Sequence, residues 1–214
     1  KCLKGNENQM QDLMLKTIQE SNFNESERIQ ELLGFISANN EKSIIQNGHI
    51  LSMSSAAAQI NNIASTNDFT GGIRFISNTS SLYKNITKEK NIDSYIDSLQ
   101  AIKSKISNDP IYTFIASSID LQDLKIKSDF DKNSNFEKIL FLESQKDSYA
   151  WITGSQVCFC AEAFPSVDID HNDSAALTVL GAVLRNGYLH SAIREKGGAY
   201  GAGASQDSKN KTFK

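Results

Sequence analysis

The chain has 214 residues, 39% hydrophobic and 22% charged, a balance that fits an ordinary globular protein and excludes a disordered one. A formal charge of −3 and a pI near 5.7 leave no basic footprint for nucleic acid. No apolar run approaches the roughly 18 residues of a membrane span, and the opening K-C-L-K-G-N-E-N lacks a signal peptide's apolar core.

In chain order, the first segment reads as helix. Met10, Leu13, Met14 and Ile18 recur at helical steps within Gln9 to Glu20, and Ser21-Asn22 ends the run. Ser26 stands as N-cap for Glu27 to Ile45, where Ile29, Leu32, Leu33, Ile36 and Ile44 draw an apolar stripe. Gly48 interrupts this pattern, and Ile50 to Ile63 is ambiguous by propensity alone. Asn61 to Gly72, rich in Asn, Ser, Thr and Gly, is expected to be a loop or bend. Ile73 to Tyr83 reads as helix, as does the run marked by Ile92, Tyr95, Ile96, Leu99 and Ile102 and ending near Ser107.

Asp109-Pro110 begins a change of style. Ile111 to Ser117 reads as a buried strand, Asp120 to Lys127 as a short helix, and the polar Ser128 to Asn135 as an interdomain linker. Phe136 to Leu142 and Tyr149 to Phe164 read as successive strands, the second ended by Pro165. The sum is an α+β chain of helices packed on largely antiparallel sheet. No short fixed repeat is present, which excludes a solenoid.

Three cysteines give no disulfide framework. Cys158 and Cys160, in V-C-F-C-A, would lie about 6.8 Å apart along a strand, near the upper limit for a bridge. Buried free thiols, with Cys2 also free, are therefore expected, in keeping with a reducing compartment. A zinc pair is the minor alternative, because no second pair of ligands stands at the right spacing.

The most informative stretch is Asp173 to Gln206. Leu177, Leu180, Val183, Leu184 and Tyr188 gather on one helical face behind Asp173 as N-cap. Asn186-Gly187 loosens the pattern, and a second short helix from Tyr188 to Lys196 is expected at a new angle. Arg194 and Lys196 stand in its last turn, where cations suit the exposed carbonyls, and Gly197-Gly198 stops it. Ala199 to Ser205 then reads as a strand. Arg194 and Tyr200 are the two residues here with chemistry to offer. A guanidinium supplies fixed donors and permanent charge, and a phenol supplies a donor on a rigid arm. Together they would hold a peptide's carbonyls or meet the negative charge that grows during attack. Spacing alone leaves a plainer reading open, in which Arg194 caps its helix and Tyr200 packs at a strand edge.

L-H-S-A-I-R-E-K-G-G-A-Y-G-A-G-A, Leu189 to Ala204, resembles the C-terminal signature of presequence-protease-like members of the pitrilysin/insulinase family, the inverted-motif zinc metallopeptidases. Glu27-Arg28-Ile29, Gly48-His49 and the D-x-A-x-L helix before Leu189 follow the family's order. The resemblance is strong over Asp173 to Ala204 and weak over most of the remainder. It implies a clamshell of two halves, each a pair of related α/β domains. Residues 1–130 would then be the helix-rich remainder of the third domain, and 131–214 the first part of the fourth. H-x-x-E-H and zinc would belong to the N-terminal half, with no metal bound by this chain. Arg194 and Tyr200 match the arginine and tyrosine that reach the peptide substrate. The resemblance favours helix for Ile50 to Ile63.

The three histidines, His49, His171 and His190, form neither H-x-x-E-H nor H-E-x-x-H. His190 and Arg194 form an i, i+4 pair, but arginine is no metal ligand. Asp129 and Asp131 lack the glycine and terminal glutamate of a calcium loop. With no initiator methionine and an end just after a strand, the chain is expected to be a piece of a longer protein. The expected whole is a zinc metalloendopeptidase that degrades short unstructured peptides, this portion alone being inactive. Its partners would be those peptides and the N-terminal half, in a bacterial cytoplasm or organelle lumen. The rival expectation is a catalytically inert relative acting as a scaffold or substrate-guiding module.

Overall fold

The computed structural model describes residues 2–89, 92–108, 143–144 and 150–214. The strand expected over 111–117, the helix over 120–127, the linker over 128–135, the strand over 136–142 and the domain boundary at 130 lie outside those residues. The chain divides into two compact units, residues 1–33 with 84–138 and residues 34–83 with 139–214. The described residues are mostly helical with one small antiparallel sheet, so the α+β expectation holds.

In the first unit, α1 (Glu7–Glu20) leaves Leu13 and Met14 exposed. Its C-terminal end is tied to α5 (Asp93–Asn108) by polar contacts. Lys103 Nζ donates to the Ser21 carbonyl, placing a cation where helix carbonyls are unsatisfied, and Gln100 Nε2 donates to Asn24 Oδ1 at 2.8 Å. Leu33, Ile86 and Ile96 are buried in this unit.

The second unit holds the rest of α2 (Ser26–Ala57) and the first part of α4 (Ile73–Glu89). Ile50 onward is helical as far as Ala57. The interruption expected at Gly48 is a kink, with Asn47 at φ −119° and ψ 19° inside a continuing helix. Leu51, Ile73 and Ile76 form the core, with Ile44 packed against it.

The segment expected to loop between them is the helix α3 (Asn62–Gly71). Asn, Ser and Thr favour turns when their side chains compete with the backbone, but here those side chains complete the helix. Asn61 Oδ1 accepts from the Ala64 amide at 3.0 Å, while its Nδ2 donates to the Asn210 carbonyl at 2.7 Å. Thr66 and Thr70 return their hydroxyls to the carbonyls of Asn62 and Thr66.

A buried polar knot fixes the corner into α4. Asp68 is 1% exposed; its Oδ1 accepts from the Ile73 amide at 3.2 Å and its Oδ2 from Arg74 Nε at 2.7 Å. Arg74 Nη2 donates to the carbonyl and hydroxyl oxygens of Ser65 at 2.6 and 2.9 Å. Ser65 Oγ donates to the Glu143 carbonyl, 3.0 Å away. Gly72 at the bend is obligatory, because a Cβ there would collide with the Asp68 carboxylate.

The sheet has the order β1-β3-β2, all antiparallel, from β1 (Phe164–Pro165), β2 (Gln206–Asp207) and β3 (Thr212–Phe213). Phe164 pairs with Phe213 and Gln206 with the same Phe213, so β3 is central and its Thr212 is fully buried. Two strand expectations are corrected. Residues 150–163 and 199–205 are not strands; ladder bonds begin only where β3 supplies a partner, at Phe164 and at Ser205 against Lys214. Pro165 belongs to β1 instead of ending a strand before it, tolerable because β1 is an edge. Partial burial pushes the Asp207 carboxyl up, but bonds from Lys214 Nζ and Asn210 pull it further down, so its pKa lies below the usual value.

Candidate functional site at the double-glycine turn

Asp173 occupies the N-cap position of α6 (Ser174–Leu184), yet its carboxylate makes no capping bond. Instead it stands 3.7 Å from His171 Nδ1, which accepts from the Asp173 amide at 3.2 Å. The face α6 buries is its small one, Ser174 and Gly181. A Cβ on Gly181 would lie 3.0 Å from the Ala204 carbonyl oxygen and 3.1 Å from Ser205 Cα, so the helix rides directly on the backbone before β2. That close approach turns part of the apolar stripe outward. Leu177 and Leu184 are half-buried, whereas Leu180, Val183 and Tyr188 are exposed.

No second helix starts at a new angle. α6 runs directly into a π-helix, Arg185–Lys196, whose wider winding absorbs Asn186-Gly187. His190 lies between two partners in this winding, with Nε2 3.4 Å from Arg194 Nη1 and Nδ1 3.4 Å from Glu195 Oε1. Arginine only donates, so Nε2 must accept; the proton then sits on Nδ1, facing the Glu195 carboxylate. The i, i+4 partner is legible in the sequence, but Glu195 is not, because an i, i+5 contact needs the wide helix.

The double glycine closes the helix as the sequence predicts, with the left-handed residue at Gly198 (φ +71°). The Gly198 amide donates to the Arg194 carbonyl and the Ala199 amide to the Ile193 carbonyl, both at 3.1 Å. This cap sets the backbone of Tyr200 one residue beyond the turn that carries Arg194. Arg194 is exposed, and Tyr200 is 93% exposed. Both side chains face solvent, and no hydrogen bond joins them among the described residues. The guanidinium keeps most of its donors open to a ligand, and so does the phenol.

The other singled-out residues lie elsewhere. His49 faces the Phe159 ring at 6.5 Å between centroids. The cysteines correct the expectation of buried thiols: Cys2, Cys158 and Cys160 are all free and exposed, since the V-C-F-C segment has no sheet to enter. Cys158 and Cys160 have their sulfurs 3.9 Å apart. The hydrogen bond with Cys158, and then its charge, hold the Cys160 thiol above its ordinary pKa. Among the described residues no three His, Cys, Asp or Glu side chains gather as metal ligands, so they offer no donor set for zinc. No described helix is long and apolar enough to cross a membrane.

Two family models match the chain. Residues 1–82 match the model for the associated region of Peptidase M16, subfamily C, and residues 143–214 match the Peptidase M16 inactive domain. The chain therefore belongs to the M16 peptidase family. Within it the chain is presequence protease-like and corresponds to a C-terminal portion, as its relatives indicate. It is 28% identical over 220 residues to the mitochondrial presequence protease of Yarrowia lipolytica, covering 95% of this chain and 21% of that protein. The corresponding protein of Saccharomyces cerevisiae is 28% identical over 210 residues, 89% of this chain and 21% of its own length. That of Emericella nidulans is 54% identical over 50 residues, 23% of this chain and 5% of its own. The chain thus spans about a fifth of the length of the first of these curated relatives.

Proposed function

We propose that the intact protein hydrolyses short unstructured peptides, and that this chain supplies the groups that orient the peptide instead of those that activate water. On this reading zinc and its general base belong to the N-terminal half of the same protein, which closes on this one around the substrate. Residues 1–130 are then the remainder of a third domain and 131–214 the start of a fourth. The names of the relatives place those proteins in mitochondria, and we extend an organelle matrix to this one.

The observation that carries the reading is the exposure of both Arg194 and Tyr200 on either side of a rigid cap. Arg194 presents a planar fork to a peptide carbonyl, and Tyr200 brings a hydroxyl to the same strand of substrate. Both donate toward an oxygen that gains negative charge during attack, which lowers the barrier more than it tightens binding. Glu195, acting through His190, holds the guanidinium's approach.

The test is peptide hydrolysis by the intact protein. Arg194→Lys keeps the charge but loses the fork, and kcat should fall about 10²-fold with the unfolding midpoint unchanged. Tyr200→Phe should fall in the same direction. Near-normal cleavage by both variants overturns the assignment. Intact wild-type protein that binds peptides without cutting them would instead favour the scaffold reading.

A further inference from the structure

Cys158 and Cys160 take no part in the peptide reading, yet their arrangement is specific. In an extended chain alternate side chains point the same way, so the residue between two cysteines fixes the direction of both. Here that residue is Phe159, which sits over the notch at Gly48 so closely that a Cβ there would overlap its ring. His49 flanks the same ring at an interplanar angle of 41°. With Phe159 held against α2, both cysteine side chains face solvent with their sulfurs 3.9 Å apart. Sulfurs at this separation touch, and a bond between them needs an approach to about 2.0 Å.

We propose that Cys158 and Cys160 form a reversible dithiol site that closes to an intrachain disulfide with a hydroperoxide as oxidant. One thiolate attacks the peroxide, breaking the O–O bond to give a sulfenic acid and, with hydrogen peroxide, water. The second thiol then attacks that sulfur, forming the S–S bond and releasing a second water. Two thiols are oxidised by two electrons and one peroxide is reduced, so the step balances. Phe159 in the Gly48 notch acts as the positioning residue. Closing the ring draws the two flanking residues together and works against the seat of Phe159.

The experiment treats the full chain with hydrogen peroxide, traps free thiols with N-ethylmaleimide and maps the peptides by mass spectrometry. The peptide holding both cysteines should be lighter by two hydrogens and unlabelled, and dithiothreitol should reverse this. Cys2→Ser should leave that product in place, and Cys160→Ser should abolish it. Gly48→Ala, which unseats Phe159, should slow closure several-fold, and Phe159→Ala should do the same without crowding α2. Independent labelling or overoxidation of the two thiols, or a bridge to Cys2 or a second chain, overturns the dithiol site. Wild-type closure rates in both notch variants overturn the role of Phe159.

Discussion

The corner between α3 and α4 and the run from α6 into the π-helix solve opposite problems. The first encloses an acid, an arginine contact and a serine where each polar atom has a partner. The second leaves Val179, Leu180, Val183 and Tyr188 open, together with Arg194 and Tyr200. The difference teaches that side-chain polarity alone does not sort inside from outside. Bond satisfaction admits Asp68 to the interior, and close backbone approach at Gly181 forces larger apolar groups out of it.

The sharpest way to break this contrast is Asp68→Ala. It strands the Ile73 amide and removes the partner of Arg74, which is itself partly exposed. We expect a loss of about 2–4 kcal/mol, below the upper range for fully buried pairs, read from urea unfolding of the chain. A loss under about 1 kcal/mol would mean the knot is ornamental. Gly198→Ala tests the other region, where φ is positive. It should cost about 1–2 kcal/mol in the same measurement and disturb Tyr200 through the cap. Val183→Ser is the smallest expected change, under about 0.5 kcal/mol, because Val183 is already 61% exposed. A larger loss would show that α6 buries this face in solution.

Much of the helical part is legible in the sequence because its signal is periodic. α1, α4 and α5 follow their apolar spacing, and Asn47-Gly48 marks the kink in α2. α3 is not legible, since Asn61, Thr66 and Thr70 acquire helical meaning only from partners such as Asn210, nearly 150 positions away. The strands fail for a related reason. Residues 150–163 have strand composition, but a ladder needs a neighbour, and β3 reaches only Phe164–Pro165. At the candidate site the cap at Gly198 is plain from two glycines. The π winding is hidden, because nothing in R-N-G-Y-L-H-S-A-I-R-E-K announces an extra residue per turn.

That winding makes the direction of Arg194 depend on chain length between Arg185 and Lys196. Removing one residue upstream would let the coil tighten to ordinary pitch, carrying the arginine about 100° around the axis. Its grip on His190 and that ring's grip on Glu195 would separate. The surplus residue thus works as an aiming device, cheap to insert or delete, by which related chains could redirect the same arginine without altering a single side chain around it.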